Sequence, residues 1–224
     1  MVYIGILEQS NFLKNNADLI EKVELFLSGR TYNDLSPNQH PVSIVGDVPL
    51  IEDSYNITKT SNVFFRSNYL EVPNSFSFDL ADNYFYFEFE IKSIEIGEIN
   101  VTNMWSSNTR NRSFAISVKP TIVGFSLSSN VQVSGSLFSY TYPDLNNGEW
   151  HKIKIERNRS ISAPLNSDAI LFYYNDLFLG ERTMRRDLIA NFSNNNLTMG
   201  KRDIGNRREE DYLIKNIKIV RYIR

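Results

Sequence analysis

The sequence predicts an all-β protein, built as a two-sheet antiparallel sandwich in one large domain. Three observations support this fold class. Apolar and polar residues alternate with a period of two over several short segments, which is typical of strands with one buried and one solvated face. Clusters of Asn, Ser, Gly and Pro separate these segments, and helical spacing is weak and confined to residues 1–22. A chain of 224 residues suits a single undivided sandwich.

The clearest strand is predicted at residues 84–92, which read YFYFEFEIK. Large apolar side chains fall on its predicted inner face, whereas the other face carries tyrosines and charged groups. Burying one large apolar side chain contributes about 1.5–3 kcal/mol, so the inner residues fix the register. The inner set is Phe85, Phe87, Phe89 and Ile91, and the outer set is Tyr84, Tyr86, Glu88, Glu90 and Lys92.

A second region, residues 146–180, predicts a strand followed by a tight hairpin. Ile153 and Ile155 alternate with lysines after an Asn-Gly turn signal. Further on, Asn175 and Asp176 stand between the apolar runs AILFYY and LFLG, and both residue types tolerate a positive φ. Because no glycine follows this pair, the type of turn stays open.

Other segments with strand periodicity complete the predicted sandwich. Near the start of the chain, Val23, Leu25 and Leu27 are predicted to share the buried face of one strand. Alternation is also clear at residues 114–119 and 123–127. Short strands at regular spacing are typical of two-sheet sandwiches.

The chain contains, in order, the segments VELFLSG, NDLSPNQHPVSI, NVFFRSNYLEVPNSFSFDL, NYFYFEFEIK, MWSSNTRNRSFAISV, GEWHKIKIERN with LFYYNDLFLG, and NLTMGKRDIG with DYLIKNIKIVRYIR. Taken together, these segments resemble the laminin-G-like, concanavalin A-like jelly-roll domains that occur in phage capsid and tail proteins. The resemblance implies a jelly-roll domain at residues 23–224. Residues 1–22 lie outside the family pattern and are expected to form an N-terminal arm or an extra strand. No single motif is specific, but the segments agree in order and spacing.

Composition argues against several partners and cofactors. The net charge of −2 gives no overall field that favours nucleic acid or an anionic membrane. The chain has no cysteine, which excludes disulfides and thiolate metal sites. No segment approaches the ~20 apolar residues of a membrane-spanning helix, and residues 1–22 lack the pattern of a secretion signal. We therefore expect a protein that is assembled in a reducing cytoplasm.

Glu88 and Glu90 are the candidate catalytic pair, because some members of the broader superfold are glycan hydrolases. Retaining glycosidases need two carboxyl groups about 5–5.5 Å apart, and residues i and i+2 of one strand lie roughly 6.5–7 Å apart. The related glucanases, however, resemble E-x-D-x-E on this strand, whereas residues 88–92 read EFEIK. A solvated outer face is therefore favoured, and we expect that the protein is not an enzyme.

A glycan is the ligand that the jelly-roll resemblance implies. Trp105 lies beside a polar loop, and sugar sites often place an aromatic plane against a pyranose ring, with polar groups on its hydroxyls. Packing in the core or at a sheet edge is the alternative role of Trp105, and Trp150 is expected to cap the edge of its sheet. The candidate ligand-binding residues are Tyr84, Tyr86, Glu88, Glu90 and Trp105.

No cofactor is expected, although calcium is the commonest ion of the family that the chain resembles. Its ligands there are carboxylates and carbonyls of rim loops. The acidic loop residues form no dense D-x-D-x-D cluster, so no ligands are assigned. His40 and His151 are the two histidines, and His151 shares the predicted buried face of its strand. The acidic loop residues are Asp34, Asp47, Asp53, Asp144, Asp168 and Asp203.

Subunit contacts are predicted at the N-terminal arm and at two basic loops. The arm combines many apolar residues with few charges, so it is expected to pack on its own sandwich or against a neighbouring subunit. The arginines of the loops either form a solvated surface or contact other subunits. The candidate contact residues are Val2, Ile4, Ile6, Phe12, Leu13, Arg110, Arg112, Arg207 and Arg208.

These observations favour a non-enzymatic virion structural protein, capsid-decorating or tail-associated, that presents a lectin-like domain. Its expected partners are other virion proteins, in a homo- or hetero-oligomer on the particle, and a surface glycan. Its expected location is the virion, assembled in the host cytoplasm. Two other hypotheses stay open. One is a glycan hydrolase that uses Glu88 and Glu90, and the other is a cellular adhesion module, which the lack of a secretion signal disfavours.

Overall fold

A computed structural model shows that the regular structure of the described residues is β-strand, apart from one short 3₁₀ turn. It describes residues 19–58, 68–80, 84–93, 99–104, 113–129, 132–159, 167–184, 195–201 and 211–223. These residues include fifteen strands and one short 3₁₀ turn, and none of their helical segments has the length and apolar character needed to cross a membrane. The strands are β1 Ile20–Leu27, β2 Ser43–Val45, β3 Leu50–Ile51, β4 Ser54–Ile57, β5 Tyr69–Val72, β6 Phe85–Lys92, β7 Ile99–Asn103, β8 Phe114–Lys119, β9 Ile122–Ser129, β10 Gln132–Thr141, β11 His151–Arg159, β12 Asp168–Tyr174, β13 Leu177–Met184, β14 Leu197–Met199 and β15 Tyr212–Ile223.

The strands form two antiparallel sheets, which confirms the predicted two-sheet jelly-roll sandwich. The eight-stranded sheet has the order β13-β12-β11-β6-β15-β4-β3, and β1 also pairs with β15. The seven-stranded sheet has the order β10-β9-β8-β7-β14-β5-β2. Strands that are distant in sequence are neighbours in both sheets, as in β11-β6-β15 and β7-β14-β5. These crossovers place β6 in the middle of the eight-stranded sheet, between β11 and the C-terminal strand β15.

The core between the sheets is built around β6, where the predicted register is confirmed. The Phe87 ring lies 4.7 Å from the Phe114 ring and 5.8 Å from the Phe125 ring, measured between centroids. Both partners belong to the seven-stranded sheet, so Phe87 joins the two layers. The predicted inner residues of β6 and β11 are all buried, with at most 1% of their surface exposed: Phe85, Phe87, Phe89, Ile91, Ile153 and Ile155.

Strand β1 departs from the predicted alternation at one residue. Leu25 and Leu27 are fully buried, as expected. The pairing with β15 shifts between Val23 and Leu25, however, and the extra residue is Glu24. Val23 consequently lies opposite Val220, which faces away from the core. The prediction that Val23 shares the inner face is wrong, because a one-residue bulge reverses the facing of the side chains that precede it.

Strand β1 begins within residues 1–22, the segment that was predicted to be an N-terminal arm or an extra strand. β1 begins at Ile20, and residues 20–22 pair with the last residues of β15. These three residues are therefore part of the eight-stranded sheet. Residues 1–18 lie outside the part of the chain that the structure describes.

The hairpin between β12 and β13 has the two-residue turn that the sequence predicts. Asn175 and Asp176 have φ angles of 47° and 66°, and Tyr174 pairs directly with Leu177. Positive φ at both central residues indicates a type I′ turn, whose twist matches that of the flanking strands. The Asn175 side chain also accepts a hydrogen bond from the Lys152 backbone N–H at 2.9 Å. An asparagine and an aspartate thus form the turn without the glycine usual in the family that the chain resembles.

Phe87→Ala should lower the free energy of unfolding by about 3–5 kcal/mol, because it leaves a cavity among neighbouring aromatic rings. Urea unfolding followed by far-ultraviolet circular dichroism measures this loss. Phe178→Ala is the matched control, since 43% of that side chain is exposed and its truncation should cost less than about 1 kcal/mol. A loss for Phe87→Ala as small as that of the control would contradict the register of β6.

Candidate functional site

The candidate site lies on the outer face of the eight-stranded sheet, which points away from the core. Cross-strand pairing arranges the outward side chains of β11, β6 and β15 in rows. In two adjacent rows, a glutamate of the central strand β6 stands between a lysine of β11 and a lysine of β15. The rows are Lys154–Glu88–Lys218 and Lys152–Glu90–Lys215.

Glu88 is held by lysines from both neighbouring strands. Its carboxylate oxygens lie 3.0 Å from the Lys218 ammonium and 3.3 Å from the Lys152 ammonium. Only 14% of the Glu88 side chain is exposed. Lys152 also pairs with Asp176 in the hairpin turn, at 2.7 Å. These contacts tie β6 to β11, β15 and the β12–β13 hairpin.

Glu90 is held by two consecutive residues of β15. One carboxylate oxygen lies 3.6 Å from the Lys215 ammonium, and the other accepts a hydrogen bond from Asn216 Nδ2 at 2.7 Å. Asn216 has a φ of 51° and lies where the pairing of β15 with β6 shifts between Lys215 and Lys218. This irregularity lets two successive residues of one strand reach the same carboxylate, and it adds an amide group to the outer face.

An indole ring borders these rows. Trp150 directly precedes β11 and has the parity of Lys152, so it is placed on the outer side of the sheet. The Lys215 ammonium lies 4.0 Å from the indole centroid, and the Lys92 ammonium lies 6.0 Å from it. Lys92 in turn pairs with Glu52 at 3.2 Å. A half-buried aromatic ring thus lies among ammonium and carboxylate groups. Sugar-binding sites often combine an aromatic ring with polar groups in this way.

The predicted ligand-binding residues are distributed unevenly over this face. Tyr86 faces outward, but its ring lies 4.3 Å from the Lys154 ammonium, and its hydroxyl donates to Glu21 at 3.4 Å. Burial, together with Glu21, raises the pKa of Tyr86, so the hydroxyl stays protonated. The Tyr84 hydroxyl donates to Asp168 at 3.4 Å. Tyr84 and Tyr86 are therefore engaged with neighbours, whereas Glu88 and Glu90 belong to the lysine rows.

The aromatic residue of the face differs from the one that the sequence singled out. Trp105 lies outside the residues that the structure describes, and its role as a sugar plane stays a prediction. Trp150 was expected to cap a sheet edge, and its contacts with two lysines were not foreseen. The signal that points to it is its parity with the outward lysines of β11.

The predicted subunit contacts also lie outside the described residues. They comprise the arm residues and the arginines of two basic loops, and all of them stay predictions. These residues are Val2, Ile4, Ile6, Phe12, Leu13, Arg110, Arg112, Arg207 and Arg208.

Several acidic residues considered for calcium are engaged within the chain, and one of them, Asp168, is the first residue of strand β12 and not a loop residue as predicted. The Asp34 carboxylate accepts hydrogen bonds from the backbone of its own loop and from β1. Asp168 pairs with Arg157 at 3.2 Å, and Asp53 pairs with Arg30 at 3.3 Å. In the described part of the chain, no three His, Asp or Glu side chains are grouped so that they could hold a metal ion. The expectation of no cofactor, with calcium as the alternative, stays a prediction.

His151 packs inside the sandwich, on the face that the sequence predicts. Only 2% of its surface is exposed. One ring nitrogen lies 2.9 Å from Asn147 Oδ1 and the other lies 2.9 Å from the Tyr174 hydroxyl. A neutral imidazole satisfies both contacts, since Nε2–H donates to Asn147 while Nδ1 accepts from Tyr174. Burial lowers the pKa of His151, against the opposite effect of the nearby Asp144 and Glu149 carboxylates.

The sequence matches no protein-family model and no curated protein, but the fold has clear counterparts. The structure of botulinum neurotoxin type C, whose cell entry depends on interaction with two ganglioside molecules, is 17% identical with a TM-score of 0.67, over 92% of this chain and 49% of that chain. The binding domain of Paraclostridial mosquitocidal protein 1 is 14% identical with a TM-score of 0.67, over 88% and 48%. The binding domain of botulinum neurotoxin DC, in complex with rat synaptotagmin II, is 16% identical with a TM-score of 0.63, over 91% and 48%. The chain spans about half the length of these counterparts, and the likeness establishes a shared fold.

Acid should destabilise the protein through His151. In the unfolded chain the imidazole takes up a proton as the pH falls through about 6.5, whereas in the folded protein its lowered pKa delays this protonation. The free energy of unfolding should therefore decrease between about pH 7.5 and pH 5.5. Urea unfolding of the wild type and of His151→Gln measures the effect, and His151→Gln should show the smaller decrease. His40→Gln is the control for the loss of the other histidine. If both variants reduce the pH-dependent decrease in the free energy of unfolding equally, His151 is not the group responsible for it.

Proposed function

We propose that the chain is a non-enzymatic carbohydrate-binding domain whose ligand surface is the part of the outer face around Trp150. We call this part the open half. The observation that carries the proposal is an indole ring placed among ammonium and carboxylate groups from three adjacent strands. The ganglioside dependence of botulinum neurotoxin type C, which shares the fold, supports a glycan ligand. The open half is defined by Lys92, Trp150, Lys152, Glu90 and Lys215.

The proposed mode of binding uses the indole as a platform. The apolar face of a pyranose packs on Trp150, in the place that the Lys215 ammonium occupies at 4.0 Å. The sugar hydroxyls bond to the surrounding lysines and to Glu90. Lys215, which the sugar displaces, pairs with Glu90 at 3.6 Å, with 22% and 27% of their side chains exposed, and ion pairs at the surface contribute only about 0–1 kcal/mol. Exchange of this pair for hydroxyl contacts therefore costs the fold little.

Trp150→Ala should weaken glycan binding by about tenfold or more, which corresponds to about 1.4 kcal/mol. A glycan microarray identifies the oligosaccharide that the wild type retains, and isothermal titration calorimetry compares the variants. Trp105→Ala is the matched control, because it removes the other tryptophan of the chain. If Trp105→Ala loses binding and Trp150→Ala keeps it, the site lies elsewhere. If no glycan is retained, the proposed function is wrong.

The non-enzymatic part of the proposal follows from how the two candidate carboxylates are held. Glu88 contacts two ammonium groups, and Glu90 contacts an ammonium group and an amide. A retaining glycosidase needs one carboxylic acid that donates a proton and one carboxylate that attacks the sugar. The partners of both glutamates are hydrogen-bond donors, so each carboxylate accepts hydrogen bonds. Neither glutamate is therefore arranged to act as the general acid.

We therefore expect no hydrolysis when the intact protein is incubated with common polysaccharides. A reducing-end assay over many hours provides the measurement. Glu88→Gln and Glu90→Gln are the controls that distinguish intrinsic activity from a contaminant. Accumulation of reducing ends with the wild type, and its disappearance in either variant, would favour the hydrolase instead.

A finer proposal concerns the setting of the domain. The resemblance of residues 23–224 to phage virion domains supports a capsid-decorating or tail-associated subunit, assembled in the host cytoplasm and in contact with other virion proteins. Mass spectrometry of particles purified from an infected culture tests this setting. Recovery of the chain in the particle fraction, at a fixed ratio to the major capsid protein, is the expected result. Its recovery only in the soluble fraction would contradict a virion role.

A further inference from the structure

A second pair of aromatic rings lies on the outer face of the eight-stranded sheet, on the hairpin between β12 and β13. Phe178 pairs directly with Tyr173, and their ring centroids lie 5.5 Å apart. Tyr173 pairs in turn with Lys154, whose ammonium lies 5.1 Å from the Tyr173 centroid. Since Lys154 belongs to a lysine row of the outer face, both rings lie on the same face as Trp150. We call Tyr173 and Phe178 the hairpin platform.

A β-bulge turns the Phe178 side chain outward. The pairing of β12 with β13 shifts between Phe172 and Tyr173, and the extra residue on β13 is Leu179, which packs against the core. If the pairing continued unbroken from Gly180, Leu179 would take the outward place opposite Tyr173. With the bulge, Phe178 takes this place instead, and 43% of its surface is exposed. Bulges often redirect a side chain in this way beside a functional site.

The turn that carries the hairpin platform is fixed to β11. The Asn175 side chain accepts a hydrogen bond from the Lys152 backbone N–H, and the Asn175 backbone N–H donates to the Lys152 carbonyl, both at 2.9 Å. The Asp176 carboxylate lies 2.7 Å from the Lys152 ammonium. Two hydrogen bonds and one ion pair thus hold the hairpin in place. A ligand that packs on a surface held in this way loses little free energy to ordering it.

Polar side chains lie between the hairpin platform and the indole ring. Trp150 and Lys154 are about 14 Å apart along an extended strand, and β13 is two strand spacings, about 10 Å, from β11. Phe178 consequently lies about 17 Å from Trp150. Lys152 and Asp176 lie between them, with 32% and 74% of their side chains exposed. A single pyranose ring cannot contact both aromatic sites, whereas a chain of several sugar residues can.

We propose that the ligand of the outer face is an extended oligosaccharide, which runs from Trp150 across Lys152 and Asp176 to the hairpin platform. One sugar residue packs on the indole, and a residue further along the chain packs on the Phe178 ring. The hydroxyls of the intervening residues bond to the exposed ammonium and carboxylate groups. This inference rests on the proposed function, because it extends the open half to a second aromatic site. It identifies the length of the glycan as a property that the surface selects.

The opposite end of the same row offers a matched control. Phe26 pairs with Lys218, whose ammonium lies 5.4 Å from the Phe26 ring centroid. Phe26 is thus an outward aromatic residue of the same type, but it is less exposed than Phe178. It also lies three strand spacings from β11, whereas Phe178 lies two spacings away. A chain that starts at Trp150 reaches the hairpin platform first.

Calorimetry with glycans of two lengths tests the proposal. The probes are a disaccharide and a hexasaccharide of one repeating unit, taken from the series that the wild type retains on a glycan microarray. The wild type should bind the hexasaccharide more tightly than the disaccharide. Phe178→Ala should lower the ratio of these two affinities about fivefold or more, and Phe178→Tyr, which keeps an aromatic ring, should restore it. Phe26→Ala should leave the ratio unchanged, and Trp150→Ala should weaken the binding of both glycans.

The possible failures of the two proposals differ. If the wild type binds both lengths equally, or Phe178→Ala keeps the full ratio, the extended ligand is wrong, while dependence on Trp150 preserves the proposed function. If Phe26→Ala lowers the ratio and Phe178→Ala does not, the chain runs toward β1 and the inference is overturned. If no glycan is retained, the proposed function and the inference both fail. Circular dichroism of each variant verifies that the fold is intact.

Discussion

The alternation of β6 is the constraint on which the rest of the structure depends. Its inward residues, such as Phe87, fill the space between the sheets, and its outward residues, such as Glu88, pair with lysines of both neighbouring strands. A shift of one residue against β11 or β15 would turn aromatic rings toward water and carboxylates toward the core. The core and the candidate site are therefore fixed by one register. The charge pattern reinforces it, because opposite charges directly across an antiparallel pair are favourable.

The sequence predicted those parts of the structure that depend on local periodicity. The inner faces of β6 and β11 and the turn at Asn175 follow from residues within one or two strands. The wrong prediction for Val23 has a different origin, because the bulge at Glu24 is stabilised by residues that are distant in the sequence. The Glu24 carboxylate lies 2.6 Å from the Arg221 guanidinium and accepts a hydrogen bond from Asn38 Nδ2 at 2.7 Å. Trp150 illustrates the same limit, since the lysine against its ring comes from β15. Pattern within one strand places a residue on a face, but it does not identify the neighbours that give this face its chemistry.

The ion pairs of the sandwich differ in how much they contribute to the stability of the fold. On the open half they are partly exposed and individually weak, so an incoming ligand can replace one partner at little cost. Arg157 and Asp168 form a pair at 3.2 Å in which at most 5% of either side chain is exposed. Breaking such a buried pair by removing one partner costs about 3–5 kcal/mol. The proposed ligand surface thus has partly exposed ion pairs whose partners a ligand can replace, whereas the buried pair of Arg157 and Asp168 stabilises the fold.

A shallow face with one indole ring offers limited affinity for a sugar, because a flat surface buries only part of a ligand. Weakly binding domains bind a ligand surface more tightly when several of them are linked, because linkage raises the overall avidity without any new contact. The toxin structures that share the fold are about twice as long as this chain, so in those proteins the sandwich is joined to further polypeptide. Display of many copies on a particle would achieve the same linkage by repetition. Under the proposed function, the open half of this chain would determine which ligand is recognised, whereas the number of linked sites would determine how tightly the ligand is held.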